Sequence, residues 1–429
     1  MSFFVRQLVQ FFSIACAAAL LGGCQTASLL DSNSTGSSSP GTTSIDGPLS
    51  DDEAVSIALA NNHGFQELLS DLDISEAERI QASQLTNPTL AVLFPLGPKQ
   101  LEFSSKFPVE ALWLRPEREA AAKLNTDAVI HRLEQDGLNL SRDVKIACTD
   151  LRLAERRVEL TKADAELLER LAKLADARLQ AGDISELELN SAEADSLRGR
   201  IDRERAHGDV TAAREKLRNL LGLSLSESAA ALSLSPAPQL KPLREDDDAL
   251  VQRALAARPD LRAAEVAIES EGRRVGLAKK EIWALTAVFD ANGDASNFEA
   301  GPGLELALPI FHQNQGARAL ADARFRKATH RYAALRDQIA MEVRQASARY
   351  RQATKNHQSL RDELLPALEQ GIEQAERAWS GGEVPYLFVL EASRRVQEGR
   401  AREVEAEATS QQAAAELERS LGSPLTSGK

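Results

Sequence analysis

Two runs of helix-forming residues dominate this sequence, Pro116–Ala181 and Gln315–Ser380. Each would reach about 100 Å as a continuous α-helix. Ordinary globular helices stop far short of that length, so these runs need other long helices to cover them. Their apolar spacing says how. Leu133, Leu140, Ala147 and Ala154 recur every seventh residue, as do Val144, Leu151 and Val158. The two rows behave as the core positions of a left-handed coiled coil. A third row, Leu153, Leu160, Leu167 and Leu174, widens the stripe, so one helix can touch neighbours on more than one side. A solitary stalk needs only the first two rows. Pro366 falls inside the second run, where it should kink or locally break the helix. Glu166 stands at the matching place in the first.

The runs are paired because the chain is duplicated. "ALANNHGF" at Ala58 matches "ALAARPDL" at Ala254, Phe107-Pro108 matches Leu308-Pro309, and Gly182 matches Gly382. Ala192 matches Ala392, and "LLG" ending at Gly222 matches "SLG" ending at Gly422. Ordered matches of this kind mark two copies of one structural unit. Residues 51–222 form the first repeat and 247–422 the second; 223–246, with three prolines, is a linker, and 423–429 is a tail. Each repeat reads as a first helix (51–85, 247–282), two short strands, the long run, a glycine turn and a return helix.

The strands are expected at about 88–96 and 100–108, and at 284–292 and 302–310. Leu101, Phe103, Ser105 and Phe107 alternate with Glu102, Ser104 and Lys106. Leu304, Leu306 and Leu308 alternate with Glu305 and Ala307. An apolar outer face over a polar inner one is the pattern of a transmembrane barrel, and the lengths approach the ~9–11 residues a tilted strand needs. Four strands cannot close such a barrel, and open edges in lipid leave backbone groups unpaired at several kcal/mol each. Three chains supply twelve strands. Two surface hairpins on a soluble protein are the plainer alternative.

The N-terminus is a targeting segment. "MSFFVRQLVQFFSIACAAALLGGC" has one cation, Arg6, then an apolar run and small residues before Cys24. The run is shorter than the ~20 residues that span a bilayer. "LGGC" resembles a bacterial lipobox, which implies cleavage of residues 1–23 and acylation of Cys24. Gln25 in the next position implies export to the outer membrane. An ordinary secretory signal, with Cys24 incidental, is the other reading. Residues 24–50 are rich in Ser, Thr and Gly and read as a flexible tether. Of the three cysteines, Cys16 leaves with the signal and Cys24 carries lipid. Cys148 is left with no partner for a disulfide within the chain.

Taken together, the two-fold repeat, "NPTL" at Asn87–Leu90, "ARPDLRAAEVAI" at Ala257–Ile268, "LPIFHQNQGARALADA" at Leu308–Ala323 and the two glycine turns resemble the TolC-like outer-membrane efflux factors. The resemblance covers nearly all of residues 51–422. It implies a fold that is mainly α with a small β part: a long-helix coiled-coil tunnel plus four transmembrane strands per chain, closing as a twelve-stranded barrel in a homotrimer. It implies partners too, a periplasmic adaptor and an inner-membrane pump, besides outer-membrane lipid. The turns, Ala181–Leu187 and Gly381–Leu387, match the family's periplasmic tips, where the adaptor docks. Gly182, Asp183, Leu187, Gly382, Glu383 and Leu387 are the residues carried over to that role. "PIFHQNQG" is closer to the heavy-metal-cation branch than to the drug branch, which more often has "PLFDGG".

The tip residues also have local readings. Glycine reaches the left-handed conformation in which helices end. Asp183 and Glu383 form an acidic ring that favours cations, or act as N-cap or first-turn acids of the return helices. His312, near the junction of barrel and helix, is expected to be structural. The six histidines show no ligand-like spacing, and Met341 is the only Met beyond the signal, so neither a metal site nor a cofactor is read from the chain. No phosphate loop or nucleophile motif appears, and paired acids such as Asp362 and Glu363 read as solvated helix face. The formal charge of −13 disfavours nucleic acid. No catalytic activity is expected, and the resemblance implies a passive conduit for cargo that an inner-membrane pump delivers. A protein-secretion exit duct and a non-pore periplasmic scaffold are the competing functions.

Overall fold

A computed structural model describes residues 47–94, 101–225, 232–293, 297–380, 383–384 and 386–425. The signal segment, Cys24 and Gly382 lie outside the described residues. The first repeat contains α1 (Asp51–Asn61), α2 (His63–Ser83), β1 (Thr89–Leu93), β2 (Leu101–Pro108), α3 (Ala111–Gln180) and α4 (Glu186–Leu220). The second contains α5 (Asp247–Ala257), α6 (Pro259–Lys280), β3 (Leu285–Gly293), β4 (Phe298–Leu306), α7 (Gln315–Ser359), a π-helical turn (Leu360–Leu364), α8 (Leu365–Ser380) and α9 (Tyr386–Leu421). None of the described helices is both long and apolar enough to cross a membrane.

The coiled-coil rows are where the long helices meet. Within α3, Val144, Ala147 and Leu151 are fully buried, and Leu133 and Ala154 are nearly so. α3 packs against α4 on one side and α9 on another, and α9 packs against α7 and α8. The lateral order is thus α4, α3, α9, then α7 with α8. Alanine and glycine permit the close approach: a Cβ on Gly199 would lie 2.9 Å from Leu168. Leu174 of the third row remains 38% exposed, so that row extends past what one chain covers.

The first helix of each repeat is two helices, not one. Asn62 and Arg258 both adopt extended backbone, which ends one helix and starts the next. Each break is a docking point for the far end of its own repeat. The Asn62 amide donates to the Leu220 carbonyl at 2.9 Å, and the Arg258 guanidinium donates to that of Ser420. Gly222 and Gly422 follow with φ of +70° and +68°. A Cβ on Gly222 would sit 2.2 Å from the Asn61 carbonyl oxygen, so only glycine passes here. The repeated "ALANN/ALAAR" and "LLG/SLG" motifs are therefore two sides of one contact, made twice.

Around the second contact lies the main core. Leu250, Val251, Ala254, Leu261, Ile339, Val343, Tyr350, Leu417 and Leu421 pack together from α5, α6, α7 and α9. Each fully buried aliphatic side chain contributes about 1.5–3 kcal/mol. The Tyr350 hydroxyl donates to the Lys241 carbonyl at 2.6 Å, tying the 223–246 segment to this core. Cys148 is buried in α3 and its thiol is pushed up to about 12 by burial, which makes it unreactive.

Three boundaries differ from the sequence expectation. α3 begins at Ala111, with Pro116 inside it, because 111–115 forms a helical turn docked on β3: the Leu285 amide donates to the Glu110 carboxylate and its carbonyl accepts from Val109. β4 runs four residues earlier than expected, so Leu308 lies outside the strand. Pro302 pairs with Phe289 in mid-strand, where it lacks a backbone donor. The first long run is unbroken at Glu166, whereas the second widens into a π-turn immediately before Pro366. Proline lacks the N–H that would bond residue 362, and the wider turn absorbs the missing bond and the ring.

Candidate functional site

The candidate site residues lie at the two ends of the helices. At one end the strands form a single antiparallel sheet in the order β1-β2-β3-β4. The β2–β3 ladder, from Leu101↔Gly293 to Pro108↔Thr286, joins the two repeats. Residues opposite each other in such a ladder share a face. One face carries Leu90, Val92, Phe103, Phe107, Ala287, Phe289 and Leu304; the other carries Glu102, Ser104, Lys106, Thr286, Asp290, Glu299 and Glu305. The polar face thus holds four carboxylates and one ammonium. Lys106 reaches Glu305 at 2.7 Å, with both side chains about half exposed. On the apolar face Leu90, Phe289 and Leu304 are 59%, 49% and 74% exposed. Within the described chain β1 and β4 each pair on one side only.

At the other end α3 turns back into α4. Gly182 has φ +81°. Its amide donates to Leu179 and that of Asp183 donates to Arg178, each at 2.9 Å, the double bond that closes a helix on a left-handed glycine. The Glu383 amide makes the matching bond to Ala378 at 2.9 Å. These positions correct the capping reading. Asp183 ends the outgoing helix rather than capping the return helix. Ser185 is the N-cap, in a capping box with Glu188, and the first-turn acids are Glu186 and Glu188. Glu383 likewise precedes α9, which has no acid in its first turn. The motif Ser185-x-x-Glu188 is legible as a capping box in the sequence. Asp183 and Glu383 are exposed, and Leu187, second in α4, is 76% exposed. Leu387 is the second residue of α9.

The connection from sheet to α7 explains part of the "PIFHQNQG" segment. Asn314 takes a left-handed backbone (φ +57°) and its amide donates to the Ala278 carbonyl at 3.0 Å, anchoring the start of α7 on the end of α6. Asparagine is among the few residues that tolerate this conformation. His312 lies exposed in this connection.

The comparison with known proteins follows this architecture. Residues 115–223 and 250–423 match the family described as "Outer membrane efflux protein". The chain belongs to that family. It is 26% identical over 382 residues to the cobalt-zinc-cadmium resistance protein CzcC of Cupriavidus metallidurans, covering 88% of this chain and 90% of that one. A membrane protein from Pseudomonas aeruginosa shares the fold with a TM-score of 0.75 and 22% identity, over 88% of this chain and 91% of the other. The outer membrane protein VceC from Vibrio cholerae does so with a TM-score of 0.73 and 17% identity, over 88% and 97%. This outer membrane efflux protein is thus a channel component of the cell's outer membrane that extends into the periplasm, and not an enzyme. Outer membrane efflux proteins work in tripartite systems with an adaptor and an inner-membrane pump.

Proposed function

We propose that three copies of the chain close a twelve-stranded barrel, and that this trimer conducts cargo delivered by a pump through a periplasmic adaptor. The half-paired edges of the four-stranded sheet carry this reading. β4 of one chain would pair with β1 of the next, leaving no backbone edge in lipid. The lateral helix order supports it as well. The outer members, α4 on one side and α7 on the other, expose Leu187, Leu197 and Ile201, and Phe325 and Met341. A neighbouring chain would cover these residues. Acylated Cys24 would anchor each chain to the membrane it crosses.

The tips, Gly182, Asp183 and Leu187 with Gly382, Glu383 and Leu387, are the proposed adaptor-docking entrance. Six exposed acids, two from each chain, would ring that entrance, and the polar face of each sheet adds four carboxylates against Lys106. Metal cations are the proposed cargo, supported by the likeness to a cobalt-zinc-cadmium resistance protein and by this acidic lining. Single-channel recording in planar bilayers tests the reading. The trimer is expected to give discrete, cation-preferring currents, and Asp183→Asn with Glu383→Gln is expected to reduce that preference. Absence of conductance would favour a non-pore scaffold. Unchanged preference would remove the tip acids from the account.

A further inference from the structure

The helical part of the chain brings together three ligand-bearing side chains from two helices far apart in sequence. His357 is in the last turns of α7, and Glu403 and Glu407 are one turn apart on α9. Their candidate ligand atoms all lie within 4.8 Å of one another, and all three side chains are half-buried. The His357 Nε2 is 3.0 Å from the Glu403 carboxylate. We infer that His357, Glu403 and Glu407 form a binding site for a borderline divalent cation such as Zn²⁺ or Co²⁺. The inference does not depend on what the channel carries.

Two observations support a ligand set over an ordinary ion pair. First, His357 and Glu403 satisfy each other, yet a second carboxylate is brought to the same place. Among the described residues the Glu407 side chain has no hydrogen bond or ion pair. The Arg361 guanidinium bonds Asp362 at 2.8 Å and reaches Glu403 and Glu407 only through longer-range attraction. Two carboxylates held this close repel, and a bound cation would relieve that more fully than a guanidinium paired elsewhere.

Second, the duplication supplies an internal control. At the matching positions the first repeat has Arg157, Arg203 and His207. Arg157 pairs with Glu405 and Arg203 with Glu204. The same helix pair therefore works without the acidic set, so the fold does not demand it.

The chemistry selects the ion class. One imidazole and two carboxylates suit zinc and its neighbours, whereas copper(I) wants thiolate or thioether ligands. Around a tetrahedral zinc with bonds of about 2.0–2.2 Å, ligand atoms stand roughly 3.3–3.6 Å apart. The His357–Glu403 separation is already close to that edge, and the Glu407 carboxylate, within 4.8 Å of both, would rotate inward to complete the set. Water would complete the coordination. With 19% and 18% of the His357 and Glu403 side chains exposed, an ion can enter from solvent.

The test is equilibrium dialysis of the full-length trimer in detergent, stripped with chelator and then titrated with Zn²⁺. The expected result is one ion bound per chain in the wild type, with affinity weakened at least about tenfold in Glu407→Gln and in His357→Gln. Co²⁺ provides a second readout: the absorption of an imidazole-ligated cobalt should appear in the wild type and vanish in His357→Gln. Circular dichroism confirms that each variant keeps its helices. A wild-type chain that takes up no Zn²⁺, or a folded pair of variants that bind as tightly as the wild type, overturns the site.

Discussion

Phe289→Arg is expected to abolish recovery of the assembled channel from outer membranes, while Ser104→Arg is tolerated. Phe289 is the central residue of β3, on the apolar face opposite Ser105 and Pro302. In the proposed barrel that face would meet lipid, where an arginine near the bilayer midplane costs about 2–4 kcal/mol in each chain. Three chains bear the cost together, so the population of trimer should drop by well over tenfold. Ser104 occupies the other face, opposite Asp290, where a guanidinium gains a carboxylate partner and water. The yield of trimer from detergent extracts of the outer membrane measures both. The reverse pattern, with Ser104→Arg lost and Phe289→Arg retained, would turn the sheet inside out.

Arg258→Ala is expected to destabilise the helical part by about 3 kcal/mol. Arg258 is only 2% exposed and holds Asp260 at 2.6 Å and Glu342 at 2.7 Å, besides the Ser420 carbonyl. Removing one member of a buried ionic cluster leaves the others desolvated and uncompensated, at about 3–5 kcal/mol. The lower end applies because Arg419 and Gln338 still reach Glu342. Lysine in place of Arg258 keeps the charge but not the fork that serves two carboxylates, and should recover only part of the loss.

The same cluster sets an acid limb. Burial alone would push the Glu342 carboxyl up, but Arg258, Gln338 and Arg419 outweigh it and hold the group below the usual carboxylate range. A carboxyl depressed in the folded state contributes stability above its unfolded value, about 4.3, and loses it as pH falls through the folded one. Thermal melts followed by circular dichroism should therefore separate wild type from Arg258→Ala widely at neutral pH. The curves should converge below about pH 4. A separation that stays constant from neutral pH into that range would detach Glu342 from the effect.

What the sequence discloses follows from how local each signal is. The heptad rows of α3 are visible because burial along a long helix repeats every second turn, and Val144, Ala147 and Leu151 are indeed the fully buried ones. The strand faces are visible because alternation is local. The breaks at Asn62 and Arg258 have local signals too: Asn62 is an N-cap whose side chain accepts from the Phe65 amide, and Pro259 turns Arg258 away from the helical region. What the sequence hides is that Leu220 and Ser420 return onto these two points. Pro366 announces a disturbance, but not that a π-turn would absorb it without ending the helix. At the tips the glycine is legible while the role of the acid after it is not: whether Asp183 closes one helix or opens the next depends on where Ser185 falls. The grouping of His357 with Glu403 and Glu407 is hidden by the sequence separation of 46 between the first two, although the spacing of the two glutamates, one helical turn, is plain.

The account depends on the sheet being a fragment of a larger closed structure. Sedimentation velocity of the full-length protein in a density-matched detergent measures this most directly. The predicted result is a single species of three chains, with no free monomer on dilution. A stable, folded, monodisperse monomer in the same detergent would contradict it, because its β1 and β4 edges would then need no neighbour.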